Sequence, residues 1–144
     1  MNIPTHLSGR DVKKYVSSII NQMARADFRP DIVIGLSRGG VVPALLVSHY
    51  FDCECYIRNK EDTLFDVQFP QRSILVIDDI NDSGNTLTIV NQELYQELEL
   101  RDIKYATLIN NESSSFTVDF SGIDFNRLEQ SDWFVFPWEK WWAS

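Results

Sequence analysis

Two adjacent carboxylates, Asp78 and Asp79, follow four apolar residues in a row, Ile74-Leu75-Val76-Ile77, and three positions on comes Asp82-Ser83-Gly84-Asn85-Thr86. The apolar run reads as a strand buried on both faces, which the two acids bring to an end. Beyond the loop, Leu87, Val90, Leu94 and Leu98 recur at helical spacing, so a helix leaves it directly. Amides at a helix start have no intrahelical partner and the helix dipole is positive there, so the 82–86 loop suits an anion. Ser83 and Thr86 add hydroxyls, and Gly84 lets the backbone close around phosphate oxygens. Asp78 and Asp79 would repel that phosphate. Their partners are therefore sugar hydroxyls or an oxygen-seeking divalent cation such as Mg²⁺. A ligand with a phosphate, a ribose and a metal-bound group meets all three demands. The plain alternative is an ordinary strand and polar turn, but two carboxylates at the mouth of a buried strand are costly unless used.

A second unit of the same kind lies upstream. Ile32-Val33-Ile34 reads as a buried strand, Gly35-Leu36-Ser37-Arg38-Gly39-Gly40 as a turn, and 42–51 as a largely apolar helix with Pro43 allowed in its first turn. The turn makes a second anion site at the same sheet edge, and the guanidinium of Arg38 can chelate phosphate oxygens in a bidentate way. In an open α/β sheet, ligands bind at that carboxyl edge.

The remaining elements frame these turns. Ser8 and Asp11 form a capping box before a helical stripe of Val12, Tyr15, Val16, Ile19, Ile20 and Met23, and Arg29-Pro30-Asp31 breaks that helix. Residues 53–58 read as a strand, and 59–73 have no stable period. Basic residues at the rim of that interval, Arg58, Lys60 and Arg72, are weak further anion ligands, since such side chains are usually just solvated. A strand over 103–109 ends in Asn110-Asn111, and residues 131–139 hold four aromatics in nine positions, with Phe136 and Trp138 read as core anchors of an edge strand.

Composition narrows the class. One domain, 1–144, is large enough for a real core, and 44% hydrophobic with 24% charged residues is the balance of a soluble globular protein. Thirteen basic against twenty-one acidic residues leave a net charge of −8, which disfavours nucleic acid and anionic membranes. No apolar run approaches the ~20 residues of a membrane span, and no signal-peptide core is present, so a cytoplasmic location is expected. Cys53 and Cys55, two residues apart in a strand, point the same way and are poorly placed to bridge. With only His6 and His49 as imidazoles, neither near the cysteines in sequence, a soft-metal site is not expected. Neither Gly-x4-Gly-Lys-Ser/Thr nor Gly-x-Gly-x-x-Gly occurs, which argues against nucleoside triphosphatases and dinucleotide oxidoreductases.

The 74–86 stretch resembles the phosphoribosyl-diphosphate (PRPP) signature of the type I phosphoribosyltransferases: an apolar strand, two acids, two linkers, then Asp-Ser/Thr-Gly-x-Thr. It departs at Asn81, where that family usually has an apolar residue. Ser37-Arg38-Gly39-Gly40-Val41-Val42-Pro43 is similar to the Ser-Arg-Gly-Gly-Leu-Val-Pro stretch of the bacterial xanthine–guanine enzymes, and Trp133 to Trp138 is similar to their Trp-x-x-x-Pro-Trp ending. The resemblance implies an α/β fold, a central mainly parallel sheet flanked by helices with a small C-terminal hood formed largely by 112–144. It implies transfer of the phosphoribosyl group from PRPP to a 6-oxopurine in nucleotide salvage. PRPP would lie on Asp78, Asp79, Ser83, Gly84, Asn85 and Thr86, with its pyrophosphate on Ser37, Arg38 and Gly39 around a cis peptide at Ser37–Arg38. Mg²⁺ would be faced by Asp79, and Asp82 would handle the purine N7 proton. Trp133 would stack on the base while Phe134 reads its edge. The resemblance also implies a flap over 59–73 and a homo-oligomer, dimer or tetramer. The family's base-reading lysine falls about where Asn111 stands, an amide without the charge; Lys140 is an unplaced substitute. Two other readings remain open: a non-catalytic module that binds PRPP or a nucleotide, and a transferase for another base.

Overall fold

In a computed structural model of the chain, the structure describes residues 4–59, 72–97, 99–131 and 133–143. Strands β2 (Ile32–Leu36), β3 (Glu54–Arg58), β4 (Ile74–Asn81), β5 (Ile103–Asn111) and β6 (Phe120–Phe125) form a five-stranded sheet in the order β3-β2-β4-β5-β6. Every neighbouring pair is parallel, so all five carboxyl ends share one edge. The chain steps outward from β2 to β3, then returns to place β4 on the other side of β2. That reversal opens a crevice between β2 and β4, the position where open α/β sheets take ligands.

Helices cover both faces. On one side α1 (Gly9–Arg25) and α2 (Val41–Phe51) bury Val12, Val16, Ile19, Met23, Ala44 and Val47 against Val33, Leu75, Ile77, Ala106 and Leu108. On the other, α3 (Asn85–Asn91) and a π-helical turn (Gln92–Glu97) bury Leu87, Val90 and Leu94 on Ile32, Ile34, Leu36, Ile74 and Val76. Burial on two faces explains why β2 and the start of β4 are apolar without alternation.

The Ser8 cap of α1 is complete: the Asp11 amide donates to its hydroxyl, and the Ser8 amide donates to the Asp11 carboxylate at 2.8 Å. The helix stops at Arg25, four residues before the Arg29-Pro30-Asp31 segment expected to break it. Asp27 turns left-handed (φ 52°) and the Phe28 amide donates back to the Met23 carbonyl at 2.9 Å, so a C-terminal capping turn ends the helix first. The helix after the 82–86 loop starts where the spacing predicts but widens into π geometry. The extra residue per turn brings both Glu93 and Leu94 inside, and Arg58 donates to Glu93 at 2.8 Å in a nearly buried ion pair. Arg58 is therefore a structural residue. Arg72, half-exposed, meets Glu54 at 3.2 Å, while Lys60 and most of the 59–73 interval lie outside the described residues.

Two strands carry no clear pattern in the sequence. β1 (Pro4–His6) pairs in parallel with β7 (Trp133–Val135) as a separate two-stranded ribbon, and β6 extends the main sheet. Of residues 112–144, β6 belongs to the main sheet and β7 to the two-stranded ribbon with β1. Phe136 is buried and stacks on Trp138, rings 5.0 Å apart, just beyond β7 rather than inside a strand. Cys53 and Cys55 are free thiols. No helix among the described residues is long and apolar enough to cross a membrane.

Candidate active site

The acids do not end β4. The strand runs on through Asp78, Asp79 and Ile80 to Asn81, paired with β5 up to Asn81–Asn110, while its pairing with β2 stops at Ile77. Past that point the backbone is satisfied by its own side chains: the Asp79 amide donates to Asp78 Oδ1 and the Ile80 amide to Asp79 Oδ1, each at 2.8 Å. Both carboxyls are mostly buried. Burial, then the neighbouring Asp79 charge, pushes the Asp78 carboxyl up to about 8. Burial also raises Asp79. Two close buried acids cannot both ionise cheaply, so the pair is built for a partner that supplies positive charge or hydrogen-bond donors.

Asp78, Asp79, Asp82, Ser83, Gly84, Asn85 and Thr86 line a small polar cleft of about 260 Å³. Gly84 adopts φ 95°, and a Cβ there would meet the hydroxyls of Ser114 and Ser115 at 2.6 Å. Those serines brace the loop: Ser115 donates from its amide (3.0 Å) and its hydroxyl (2.8 Å) to the Ser83 carbonyl. Asn81, unexpected at this place, is buried and satisfied. Its amide donates to Asn110 Oδ1 and to the Phe116 carbonyl, and it accepts from Ser114 Oγ at 2.8 Å. A polar clamp thus stands where an apolar contact was expected.

The second turn meets the first at Asp79. Arg38, Gly39, Val41 and Val42 line a cleft of about 780 Å³ that also contains Asp79, Trp138, Glu139, Lys140 and Trp142. Gly39 lies so close that a Cβ would fall on the Asp79 carboxylate. The Ser37–Arg38 peptide is cis, and Ser37 Oγ donates to Asn59 Oδ1 at 2.8 Å. Arg38 is exposed, and its side chain makes no hydrogen bond or ion pair among the described residues.

The base-reading candidates sit differently. Trp133 is 45% exposed and lines another cleft, of about 430 Å³, with His6, Val135, Pro137 and Trp141, rather than the one holding Asp82. Phe134 packs edge-on against Phe125, rings 5.1 Å apart. Asn111 is buried, donates to the Asp82 carbonyl at 2.8 Å, and accepts from the amides of Ser113 and Arg127 and from the Ser113 hydroxyl. It is a strut of the 82–86 loop. Lys140 lines both the Arg38 cleft and the Trp133 cleft. Sequence reasoning missed Arg127, whose Nε and Nη2 donate to the two Asp82 oxygens at 3.2 and 3.3 Å. Its sole signal is position, two residues past β6 at the carboxyl edge, and β6 itself was not foreseen.

A metal fits this donor set only in part. Carboxylate oxygens of Asp79, with Asp78 beside it, suit Mg²⁺, but no group of three or more His, Cys, Asp or Glu able to hold an ion occurs among the described residues. Mg²⁺ held here would need most of its ligands from substrate and water.

No family model matches the chain. A xanthine-guanine phosphoribosyltransferase from Cereibacter sphaeroides is 30% identical over 122 residues, covering 74% of this chain and 68% of that protein. A solved purine phosphoribosyltransferase from Pyrococcus horikoshii superposes with TM-score 0.77 at 25% identity, covering 95% of each chain. The xanthine-guanine-hypoxanthine phosphoribosyltransferase of Helicobacter pylori, at TM-score 0.85 and 22% identity over 99% of this chain and 97% of its own, shares the fold. With two strand–turn–helix units meeting at Asp79 and relatives of this kind, the chain belongs to the phosphoribosyltransferases, among the kin of the xanthine–guanine enzymes.

Proposed function

We propose that the chain transfers the 5-phosphoribosyl group of PRPP to a 6-oxopurine (guanine, xanthine or hypoxanthine), releasing pyrophosphate, as a salvage enzyme of the cytoplasm acting as a dimer or tetramer. One observation carries the reading: Asp79 belongs to both clefts, so a phosphate-binding turn and a guanidinium-bearing turn open together onto one pair of acids.

The 5-phosphate sits in the loop of Asp82, Ser83, Gly84, Asn85 and Thr86, held by its amides and hydroxyls. Ribose hydroxyls meet Asp78 and Asp79, and the pyrophosphate reaches Ser37, Arg38 and Gly39. Mg²⁺ held against Asp79 would offset the charge of the pyrophosphate. As the bond from C1′ to the pyrophosphate oxygen lengthens, its electron pair leaves with pyrophosphate, and Arg38 stabilises the growing negative charge. The purine N9 lone pair then forms the new bond to C1′ from the opposite face, and the N7 proton passes to Asp82. Trp133 supplies a stacking surface; stacking of this kind is worth ~1–3 kcal/mol per base and tolerates several bases. Phe134 flanks it and Asn111 holds the loop beneath.

The test is direct. Incubation with PRPP, Mg²⁺ and each of guanine, xanthine, hypoxanthine and adenine should release pyrophosphate fastest with a 6-oxopurine. PRPP binding without release for any base would favour the second reading, a sensing module, for which the commitment of Asn111 to the loop speaks. Release with adenine alone would move the assignment to another base.

A further inference from the structure

We propose that the Arg58–Glu93 ion pair positions the turn of Ser37 to Gly40, tying it to the helix that leaves the 82–86 loop; this rests on the transfer reading above, in which that turn receives the pyrophosphate. Arg58 is the last residue of β3 in register with β2, opposite Leu36. Its backbone and its side chain face different partners. The Arg58 carbonyl accepts from the Ser37 amide at 2.9 Å, one step past the last register pair, and Asn59 Oδ1 accepts from Ser37 Oγ at 2.8 Å. The guanidinium reaches the π-helical turn, where Nε donates to Glu93 Oε2 at 2.8 Å, with only 11% and 7% of the two side chains exposed. Glu93 is itself held in place. Leu94 beside it packs in the core, the Tyr105 hydroxyl of β5 donates to Asn91 Oδ1 at 2.7 Å, and the Leu100 amide donates to the Leu94 carbonyl at 2.9 Å. A continuous path therefore runs from β5 through Asn91, Glu93 and Arg58 to Ser37, the residue before Arg38.

Stability alone is a poor reason for such a pair. Taking two ions out of water costs about what their attraction returns, and well-packed apolar side chains in their place are often neutral or better. An ion pair supplies something else, a directional, charge-assisted bond of fixed geometry. The π-helical turn supports the same reading. A helical stripe of Leu87, Val90 and Leu94 has no inward place for Glu93, and the wider turn creates one. π geometry is rare and is found mostly at functional sites. Arg38 is the residue that gains. Its turn is otherwise held by backbone, and a displacement of about 1 Å at a reacting group costs roughly 10²-fold in rate.

The experiment compares the wild type with R58M/E93L, which exchanges both ions for apolar side chains of similar volume, and with R58K, which keeps the charge but not the planar fork. Melting temperature reports the fold. Calorimetry reads pyrophosphate with Mg²⁺ and ribose 5-phosphate separately, and steady-state rates use PRPP with hypoxanthine. The double variant should melt at or above the wild-type temperature and bind ribose 5-phosphate within about threefold of it. Pyrophosphate should bind roughly tenfold more weakly and kcat should fall roughly ten- to hundredfold, with KM for hypoxanthine nearly unchanged. R58K should show the same pattern with smaller losses. A folded double variant that keeps both pyrophosphate affinity and kcat within about threefold overturns the proposal and leaves the transfer reading standing. So does an equal loss for both ligands, because the pair would then serve the fold at large. If neither variant folds, hydrogen exchange in the wild type decides: pyrophosphate with Mg²⁺ should slow the amides of 92–97 as well as that of Ser37, and protection confined to 36–40 overturns the proposal. No turnover with any base sinks the transfer reading alone, and the binding measurements still judge the pair. A wild type that binds neither PRPP nor pyrophosphate overturns both.

Discussion

The two turns proposed to hold the ligand are braced differently, one by side chains and one by backbone. The turn after β4 is braced from three sides: Asn81 is locked to Asn110, Ser114 and the Phe116 carbonyl, Ser115 holds Ser83, and Asn111 with Arg127 holds Asp82. The turn after β2 is held by backbone, the Ser37 amide on the Arg58 carbonyl (2.9 Å) and the Gly40 amide on the Leu36 carbonyl (2.8 Å), with one side-chain bond from Ser37 to Asn59, and it leaves Arg38 exposed. The difference follows from what each must do. On the proposed function, a phosphate that stays on the sugar calls for a socket fixed by side chains, and a pyrophosphate that departs calls for a cation that can follow it out. Substitutions in the first turn should therefore act on shape and stability as well as rate, and those in the second on rate alone.

The largest expected effect falls on Asp82, the proposed proton acceptor. Asp82→Asn should lower turnover by roughly 10²–10⁴, the range for a positioned acid or base, with PRPP affinity nearly intact because the loop amides remain. Full turnover in this variant would remove Asp82 from the chemistry. Arg38→Gln comes next, with a loss of roughly 10²–10³ in kcat on the scale of one lost electrostatic donor. Its melting temperature should match the wild type, since the Arg38 side chain makes no hydrogen bond or ion pair among the described residues. A clear drop in melting temperature would show that the second turn is as braced as the first.

Asn81→Leu tests the bracing itself. It restores the apolar residue usual at this position but removes the partner of Asn110 Oδ1, of the Ser114 hydroxyl proton and of the Phe116 carbonyl. Each buried group left unpaired costs about 1–3 kcal/mol, so denaturant unfolding should show a loss of that order with kcat altered only a few-fold. A neutral result would mean that the clamp adds nothing beyond packing.

How much of this could be read from the chain alone follows from the same contrast. Period and turn chemistry are local, so the capping box at Ser8, the α2 helix and the order of acids, loop and helix were legible. The acids misled about the end of β4, because the pairing that extends it comes from β5, distant in sequence. β6 was missed because Ser121, Gly122 and Asp124 interrupt its apolar pattern; its place is set by tertiary contacts, with Gln22 donating to the Ser121 carbonyl at 2.7 Å and Tyr105 accepting from Asp119 across the β5–β6 connection at 2.9 Å. Without β6, Arg127 had no address at the sheet edge. Trp133 was found by resemblance, yet its cleft with His6 depends on the β1–β7 pairing, which three-residue strands do not advertise.

The smallest effect concerns the acid pair in the ligand-free protein. Burial first, then the Asp79 charge, raises the Asp78 carboxyl to about 8 in the folded state, well above the ~4 of an unfolded aspartate. A raised value means that the folded chain holds this proton more tightly than the unfolded one. The resulting stability is full below about pH 4 and is lost as pH rises through about 8. Asp78→Asn carries no such proton, so its melting temperature should gain steadily on the wild type as pH goes from 5 to 9. Differential scanning calorimetry without ligand reads this directly. Saturating PRPP with Mg²⁺ should erase the advantage, because the wild-type acids then have the partners for which their burial prepared them, while the asparagine does not. A gap between the two proteins that is the same at every pH would show that Asp78 is already ionised in the empty site, and the two turns would then differ in bracing but not in charge.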